Sequence, residues 1–290
     1  MTTKVAFIGL GVMGYPMAGH LSQKGFNTTV YNRTTSKAQK WCEEFTGTWA
    51  KTPAIAVRDA DIVFVCVGND DDVRSVFYGN DGLLSTVKPD TIIVDHTTTS
   101  ATLAKELAQA ANKQHSHFLD APVSGGQAGA ENGVLTVMVG GNPTVLEQAT
   151  PAINSYAKAI SLMGENGAGQ QCKMANQVCI AGILQGLSEA IKLAQAAGLD
   201  IEQMSNVLKH GAAGSWQMEN RAATMDQDQF DFGFAIDWMR KDLDICLDEA
   251  KNLNVELPLT KQVNETYEKL QQRGLNRCDT SVLIKQFDKK

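Results

Sequence analysis

Lys4-Val5-Ala6-Phe7-Ile8-Gly9-Leu10-Gly11-Val12-Met13-Gly14 decides how the first half of this chain folds. An apolar run of strand character feeds a G-x-G-x-x-G turn, and Tyr15-Pro16-Met17-Ala18 continues it as a helix. In such a strand–turn–helix, Gly9 permits the tight turn and Gly11 lets the backbone approach a pyrophosphate. Gly14 lets helix and strand pack closely. The spacing alone is a weak signal. Its place between an apolar strand and a helix start is what makes Gly9, Leu10, Gly11, Val12, Met13 and Gly14 a dinucleotide cradle and not a bare glycine turn.

Outward from this stretch, apolar β-rich runs recur at 28–31, 62–67, 91–94, 118–119, 134–139 and 159–162. Helical patterns at 13–24, 36–44, 101–112 and 144–154 lie between several of them. Strand–helix alternation with continuous apolar strands predicts a mostly parallel sheet covered on both faces. From about Gly164 the strand signal stops. Residues 168–197 read as one helix ended by Gly198 as a left-handed cap, and about 30 residues at 1.5 Å each span about 45 Å. Asp200 caps a further helix through Leu208, and helical patterns follow at 236–252 and 261–273. The expected fold is α/β: a Rossmann dinucleotide-binding domain over residues 1–164, then an all-α domain over 165–290, joined by a long helix.

Cofactor specificity in such a domain is read at the end of the second strand, where an Asp or Glu commonly grips the ribose 2′-hydroxyl. This chain has Tyr31-Asn32-Arg33-Thr34 instead. A carboxylate repels a 2′-phosphate, whereas Arg33 offers it charge-assisted hydrogen bonds, with Asn32 and Thr34 adding neutral ones. NADP (as NADPH) is therefore the expected cofactor, with NAD as the alternative if Arg33 is only a solvated helix-start residue. Val67-Gly68-Asn69 and Thr97-Thr98 follow later strands at the carboxyl edge that lines the same crevice. Asn69 and Ser100 suit helix caps equally well.

A second cluster lies at Gly167-Ala168-Gly169 with Lys173, Asn176 and Gln177, polar residues at i, i+3 and i+4 on an otherwise apolar helix. The 3.6-residue period continues this stripe through Ile180 and Leu184, as in a helix whose first turns face a cleft. A lysine near a helix start opposes the helix dipole, a cost that function explains more readily than structure. An ammonium there stabilises a growing oxyanion and donates a proton in carbonyl reduction. Asn176 or Gln177 orients it. In Val123-Ser124-Gly125-Gly126, a hydroxyl and two glycine N–H groups form a candidate carboxylate nest. Residues 211–216 are a candidate cleft wall or a helix–helix turn.

Composition excludes several classes. Hydrophobic content of 43% and charged content of 20% over 290 residues describe an ordinary two-domain chain. The net charge of −6 argues against nucleic acid or an anionic membrane as partner. No apolar run approaches the roughly 20 residues needed to span a bilayer, and no export signal is read at the N-terminus. The cysteines are scattered without C-x-x-C spacing, so reduced thiols in the cytoplasm and no metal site are expected.

These motifs resemble the β-hydroxyacid dehydrogenases, the family of 3-hydroxyisobutyrate dehydrogenase, tartronate semialdehyde reductase and glyoxylate/succinic semialdehyde reductase. Four blocks occur in the family's order: Gly9–Gly14 with Met17-Ala18, Asp120-Ala121-Pro122-Val123-Ser124-Gly125-Gly126, Gly167-x-Gly169-x-x-x-Lys173-x-x-Asn176, and Lys241-Asp242-Leu243. The resemblance implies Lys173 as catalytic lysine and Ser124, Gly125 and Gly126 as the substrate-carboxylate loop. It further implies Thr98 in contact with cofactor and substrate, Phe234 and Lys241 over the nicotinamide half, Asp242 beside the active site, and a dimer or tetramer. Gln177 stands where many members have Asn, near the substrate. Imine-reducing relatives usually replace the lysine, so Lys173 counts against that branch. The expected activity is NADPH-dependent reduction of a small carboxylate-bearing semialdehyde or 2-oxo acid. NAD-linked oxidation of 3-hydroxyisobutyrate or serine is the alternative, and a non-catalytic dinucleotide-binding protein the alternative of another class.

Overall fold

The opening apolar run forms β1 (Lys4–Ile8), followed by α1 (Gly14–Gln23) and β2 (Asn27–Tyr31), which pairs with β1 in parallel over its whole length. The chain continues through α2 (Thr35–Glu44), β3 (Thr48–Trp49), α3 (Pro53–Val57), β4 (Ile62–Val65), α4 (Asp70–Phe77), β5 (Ile92–Asp95), α5 (Ala101–Lys113) and β6 (His117–Asp120). Next come β7 (Val123–Ser124), α6 (Gly126–Glu131), β8 (Leu135–Gly140), α7 (Pro143–Ile153) and β9 (Ala157–Gly164). The rest is helical: α8 (Ala168–Ala196), α9 (Ile201–Leu208), α10 (Trp216–Asp226), α11 (Ile236–Asn252) and α12 (Pro258–Gln272). This computed structural model describes residues 2–288. The chain divides into two compact units, Met1–Lys173 and Met174–Lys290, the division falling within α8.

In the first unit the strands lie in the order β3-β2-β1-β4-β5-β6-β8-β7, with β9 against β8. From β3 to β6 all pairings are parallel, and the order reverses between β1 and β4. This is the doubly wound α/β fold with its switch point at the glycine turn. Period-two alternation sorts the strands' side chains onto two faces. Val5, Phe7 and Phe64 join one buried cluster, and Ala6, Ile8, Val63 and Val65 the other. The sheet is mixed at one edge, where β8 runs antiparallel to β6 and β7. The short α6 is too small for a crossover, so the chain doubles back there, and β9 then pairs with β8 in parallel.

The second unit is built on α8. Ala181 and Leu184 pack with Ile236, Met239 and Leu243 of α11 and Val263, Tyr267 and Leu270 of α12. One turn further, Leu187, Ile191 and Ala194 pack with Ile201, Met218, Ala222 and Met225. Gly198 adopts φ +75° and ends the helix as expected, and Asp200 caps α9 by accepting from the Gln203 N–H at 2.7 Å. Among the described residues no helix is long and apolar enough to cross a membrane.

His96, just after β5, is buried with Nδ1 2.6 Å from the Ala121 carbonyl and Nε2 2.8 Å from the Tyr156 hydroxyl. A carbonyl only accepts, so Nδ1 carries the proton and Nε2 accepts from Tyr156. Burial lowers the His96 pKa to about 4. A histidine depressed on folding stabilises the fold fully above its unfolded pKa of about 6.5, and that contribution fades as pH falls toward the folded value. The neighbouring Asp95, raised by burial to about 7, acts in the opposite sense, so only a variant isolates His96. His96→Gln should be less stable at pH 7.5 yet lose less further stability on acidification to pH 4.5. Urea titrations at both pH values measure this, and identical pH slopes in the two proteins would rule the assignment out.

Candidate active site

Two of the three motif glycines are demanded by the fold itself. Gly9 has φ +102°, and a Cβ there would sit 2.1 Å from the Cys66 carbonyl oxygen. At Gly14 a Cβ would lie 2.0 Å from the Gly9 carbonyl oxygen. Gly11 differs: a Cβ there would meet no atom within 4 Å. Open space over Gly11 is what a ligand lying close to the backbone requires, so the turn fits a dinucleotide pyrophosphate. Asn32 braces this turn from the end of β2. Its Oδ1 accepts from the Leu10 N–H at 2.9 Å, and its Nδ2 donates to the Thr34 carbonyl at 3.0 Å. Asn32 thus shapes the cradle through its own hydrogen bonds. Leu10 is buried, while Val12 stands exposed at the rim.

Arg33 projects from the same strand end with its side chain 85% exposed and Nη1 3.0 Å from Asp72 Oδ1. A solvated pair of this kind contributes about 0–1 kcal/mol, so exchanging the carboxylate for a phosphate costs little. Thr34 holds the N-cap position of α2 without a side-chain cap bond. Asn69 is the N-cap of α4, accepting from the Asp72 N–H at 2.8 Å, and Ser100 caps α5 through the Leu103 N–H. Both residues therefore have the capping role that the sequence allowed. Asp72 was invisible in the sequence because its approach to Arg33 spans 39 residues.

The start of α8 is pinned to the carboxyl edge of the sheet. Asp120 accepts from the Gly167 N–H at 2.8 Å and the Gln170 N–H at 3.0 Å. Burial raises its pKa above the usual carboxylate range, and these N–H bonds offset part of that rise. Gln170, fully buried, accepts from the Thr99 N–H at 3.0 Å and donates to the Thr97 carbonyl at 2.7 Å. Thr97 Oγ1 in turn accepts from the Val67 N–H at 3.1 Å, beside Gly68. Half-buried Thr98 therefore sits between two clamped neighbours. Lys173 follows one turn later on α8 and is only 8% exposed. Ser124 ends β7 half-buried, and Gly125 (φ +133°) and Gly126 (φ +61°) turn the exposed backbone in conformations that L side chains resist. Gln170 went unread as a site residue, although a polar side chain inside the Gly167–Lys173 block was the available signal.

In the second unit four polar side chains form a chain. Asn176 Nδ2 donates to Gln177 Oε1 at 2.8 Å, and Gln177 Nε2 donates to Asp242 Oδ2 at 2.6 Å. Lys241 Nζ lies 2.9 Å from Asp242 Oδ1. Gln177 and Asp242 are 1% and 3% exposed, so the Gln177 amide is spent on its own unit. Phe234 is half-buried and packs against the α8–α11–α12 core. The glycines at 211–214 are explained by a helix–helix turn: a Cβ at Gly214 would lie 2.3 Å from the Lys209 carbonyl, and Ser215 caps α10.

The glycine geometry separates folding from binding. Gly9→Ala and Gly14→Ala should each destabilise the protein by about 3 kcal/mol or more, through overlap with backbone and, at residue 9, a disfavoured φ. Gly11→Ala should keep its melting temperature while weakening dinucleotide binding about tenfold or more. Thermal melts beside cofactor-fluorescence titrations separate the three, and undiminished binding by Gly11→Ala would remove Gly11 from the cradle.

Comparison with known proteins shows the family. Residues 4–164 match the model of the NAD binding domain of 6-phosphogluconate dehydrogenase. Residues 167–287 match that described as NAD-binding of NADP-dependent 3-hydroxyisobutyrate dehydrogenase. An uncharacterized oxidoreductase of Shewanella frigidimarina is 53% identical, the alignment covering 99% of this chain and 98% of that one. The 2-hydroxy-3-oxopropionate reductase of Escherichia coli is 34% identical, covering 98% and 97%. Among solved structures, Mycobacterium tuberculosis 3-hydroxyisobutyrate dehydrogenase with L-serine superimposes with a TM-score of 0.90 at 28% identity, covering 100% of both chains. With both its domains matched and relatives aligned along its whole length, the chain belongs to the β-hydroxyacid dehydrogenases, nicotinamide-dinucleotide-dependent oxidoreductases acting on CH–OH groups of small molecules.

Proposed function

We propose that this protein is an NADPH-dependent reductase of a small semialdehyde or 2-oxo acid that carries a carboxylate, the reverse of a 3-hydroxyacid dehydrogenase. The observation that carries the reading is Lys173, buried one turn beyond a helix start that Asp120 and Gln170 pin to the sheet edge. The Gly9–Gly14 turn, Arg33 with Asn32 and Thr34, Val67–Asn69 and Thr98 would hold the cofactor, with Phe234 and Lys241 toward its nicotinamide half. When bound, that cofactor supplies the hydride. The Lys173 ammonium stabilises the negative charge growing on the substrate oxygen and donates a proton to it. Ser124 and the N–H groups of Gly125 and Gly126 bind the carboxylate, and Asn176 orients the Lys173 ammonium, with Gln177 and Asp242 behind Asn176.

The name of the Escherichia coli relative, a reductase of a three-carbon oxo compound, supports the substrate class. The L-serine in the mycobacterial structure favours a second reading, NAD-linked oxidation of a hydroxy acid at the same residues. A non-catalytic dinucleotide-binding role has no use for a buried Lys173. Exposed Leu193, Leu199 and Val207 on and beside α8 and α9 support self-association as a dimer or tetramer. Six cysteines as reduced thiols suit the cytoplasm.

Two measurements test the proposal. NADPH should bind at least about tenfold more tightly than NADH, and Arg33→Ala should erase most of that gap while leaving NADH binding unchanged. Equal affinities in the unmutated protein would refute the preference. Lys173→Ala should bind NADPH normally yet lose roughly 10²-fold or more in kcat. Lys173→Arg should restore little, because a guanidinium keeps its proton. Near-normal turnover of succinic semialdehyde by Lys173→Ala would show that another group is the acid.

A further inference from the structure

The two ends of an asparagine or glutamine amide have nearly the same shape, so packing does not orient them; only hydrogen-bond partners do. In the second unit one partner is unambiguous. Asp242 lies 2.9 Å from the Lys241 ammonium, and a carboxylate so paired only accepts. The group 2.6 Å from its Oδ2 must then be the NH₂ end of Gln177. The carbonyl end of Gln177 consequently faces Asn176, which meets it with its own NH₂ at 2.8 Å. The acceptor oxygen of Asn176 is thereby left at the far end of its amide.

We infer that Gln177 is a positioning residue, locked by Asp242, that dictates which way the Asn176 amide faces. The inference rests on the proposed role of Asn176 in orienting the Lys173 ammonium. It makes the departure at residue 177 intelligible. Adjacent helix residues do not face each other, and the longer Gln side chain spans from Asn176 on its own helix to Asp242 on α11. Its amide is 1% exposed, with its second N–H toward Met239 Sδ at 3.7 Å, so Gln177 acts through Asn176 and does not itself touch substrate. An Asn176 held this way offers an acceptor, which suits an ammonium donor such as Lys173 and repels a carboxylate. Gln177 and Asp242 thus contribute to choosing which end of a hydroxy acid is recognised there.

An isosteric swap tests direction separately from mere packing. Gln177→Glu sets two carboxylates against each other, and Asp242→Asn removes the reference that orients the amide. Combining Gln177→Glu with Asp242→Asn restores the chain with its polarity intact. The new amide at position 242 accepts from Lys241 and donates to the new carboxylate at position 177, which accepts from Asn176. With succinic semialdehyde and NADPH as probes, each single variant should lose about fivefold or more in kcat/KM, and the double should return to within about threefold of the unmodified enzyme. NADPH affinity should stay within about twofold throughout. A double variant no better than the worse single one overturns the inference. Should Gln177→Glu fail to fold, Asp242→Asn alone decides: unchanged kcat/KM refutes the lock, and a loss with intact NADPH binding supports it. Asn176→Ala distinguishes the underlying reading. If it is harmless, the role of Asn176 falls and the inference with it; if it is damaging and the swap fails to rescue, only the inference falls.

Discussion

Burying a carboxylate costs several kcal/mol unless hydrogen bonds replace its water, and Asp120 shows how this fold meets that cost. The N–H groups of Gly167 and Gln170 at the opening of α8 point into it, where the helix dipole also favours negative charge. The arrangement dictates its neighbours. A Cβ at Gly140 would come 2.5 Å from Asp120 Oδ1, and one at Gly169 would strike the carbonyls of Met138 and Asp120. Two backbone segments, at Gly140 and Gly169, thus come close without side chains so that one carboxylate can seat one helix. Everything that Lys173 is proposed to do depends on that seating.

Around this anchor the sheet edge is tied laterally. Gln170 reaches the loop after β5, and Thr97 in that loop reaches the loop after β4. Asn32 ties the end of β2 to the glycine turn. The loops proposed to face a ligand are therefore held by amides and hydroxyls whose bonds are internal to the chain. Such preorganisation leaves few rotamers to freeze on binding.

The elements legible in the sequence were those with a long period or a hard stereochemical demand. The apolar runs of β1, β4 and β5, the length of α8 and its stop at Gly198 all carry their own signal, and so does the glycine turn. Most of what escaped reading was short or non-local, although α10, 11 residues long, went unread as well. β3 and β7 are two residues each, too brief for alternation to register. The α3 start at Thr52-Pro53 had a cap and a first-turn proline, but its helix spans only five residues. The reversal at β8 depends on how little chain joins it to β7, not on the pattern within either strand. At the site, residue identities were legible and their partners were not. Arg33 opposite Asp72, Gln170 across Thr97–Thr99 and Gln177 on Asp242 are pairings between distant segments that no spacing rule reveals.

The order of strands carries an evolutionary implication. Arg33 leaves the sheet at the end of β2, on one side of β1, whereas Thr98 follows β5, Asp120 ends β6 and Ser124 ends β7, across the switch point on the other side. Arg33 pairs with Asp72 of α4, while Lys173 belongs to α8. With the roles proposed for Arg33 and Lys173, mutations that trade one dinucleotide for another fall on a different part of the molecule from those that alter the chemistry. A lineage built on this fold is free to exchange its electron donor while keeping its reaction, or to diversify its substrates while keeping its donor.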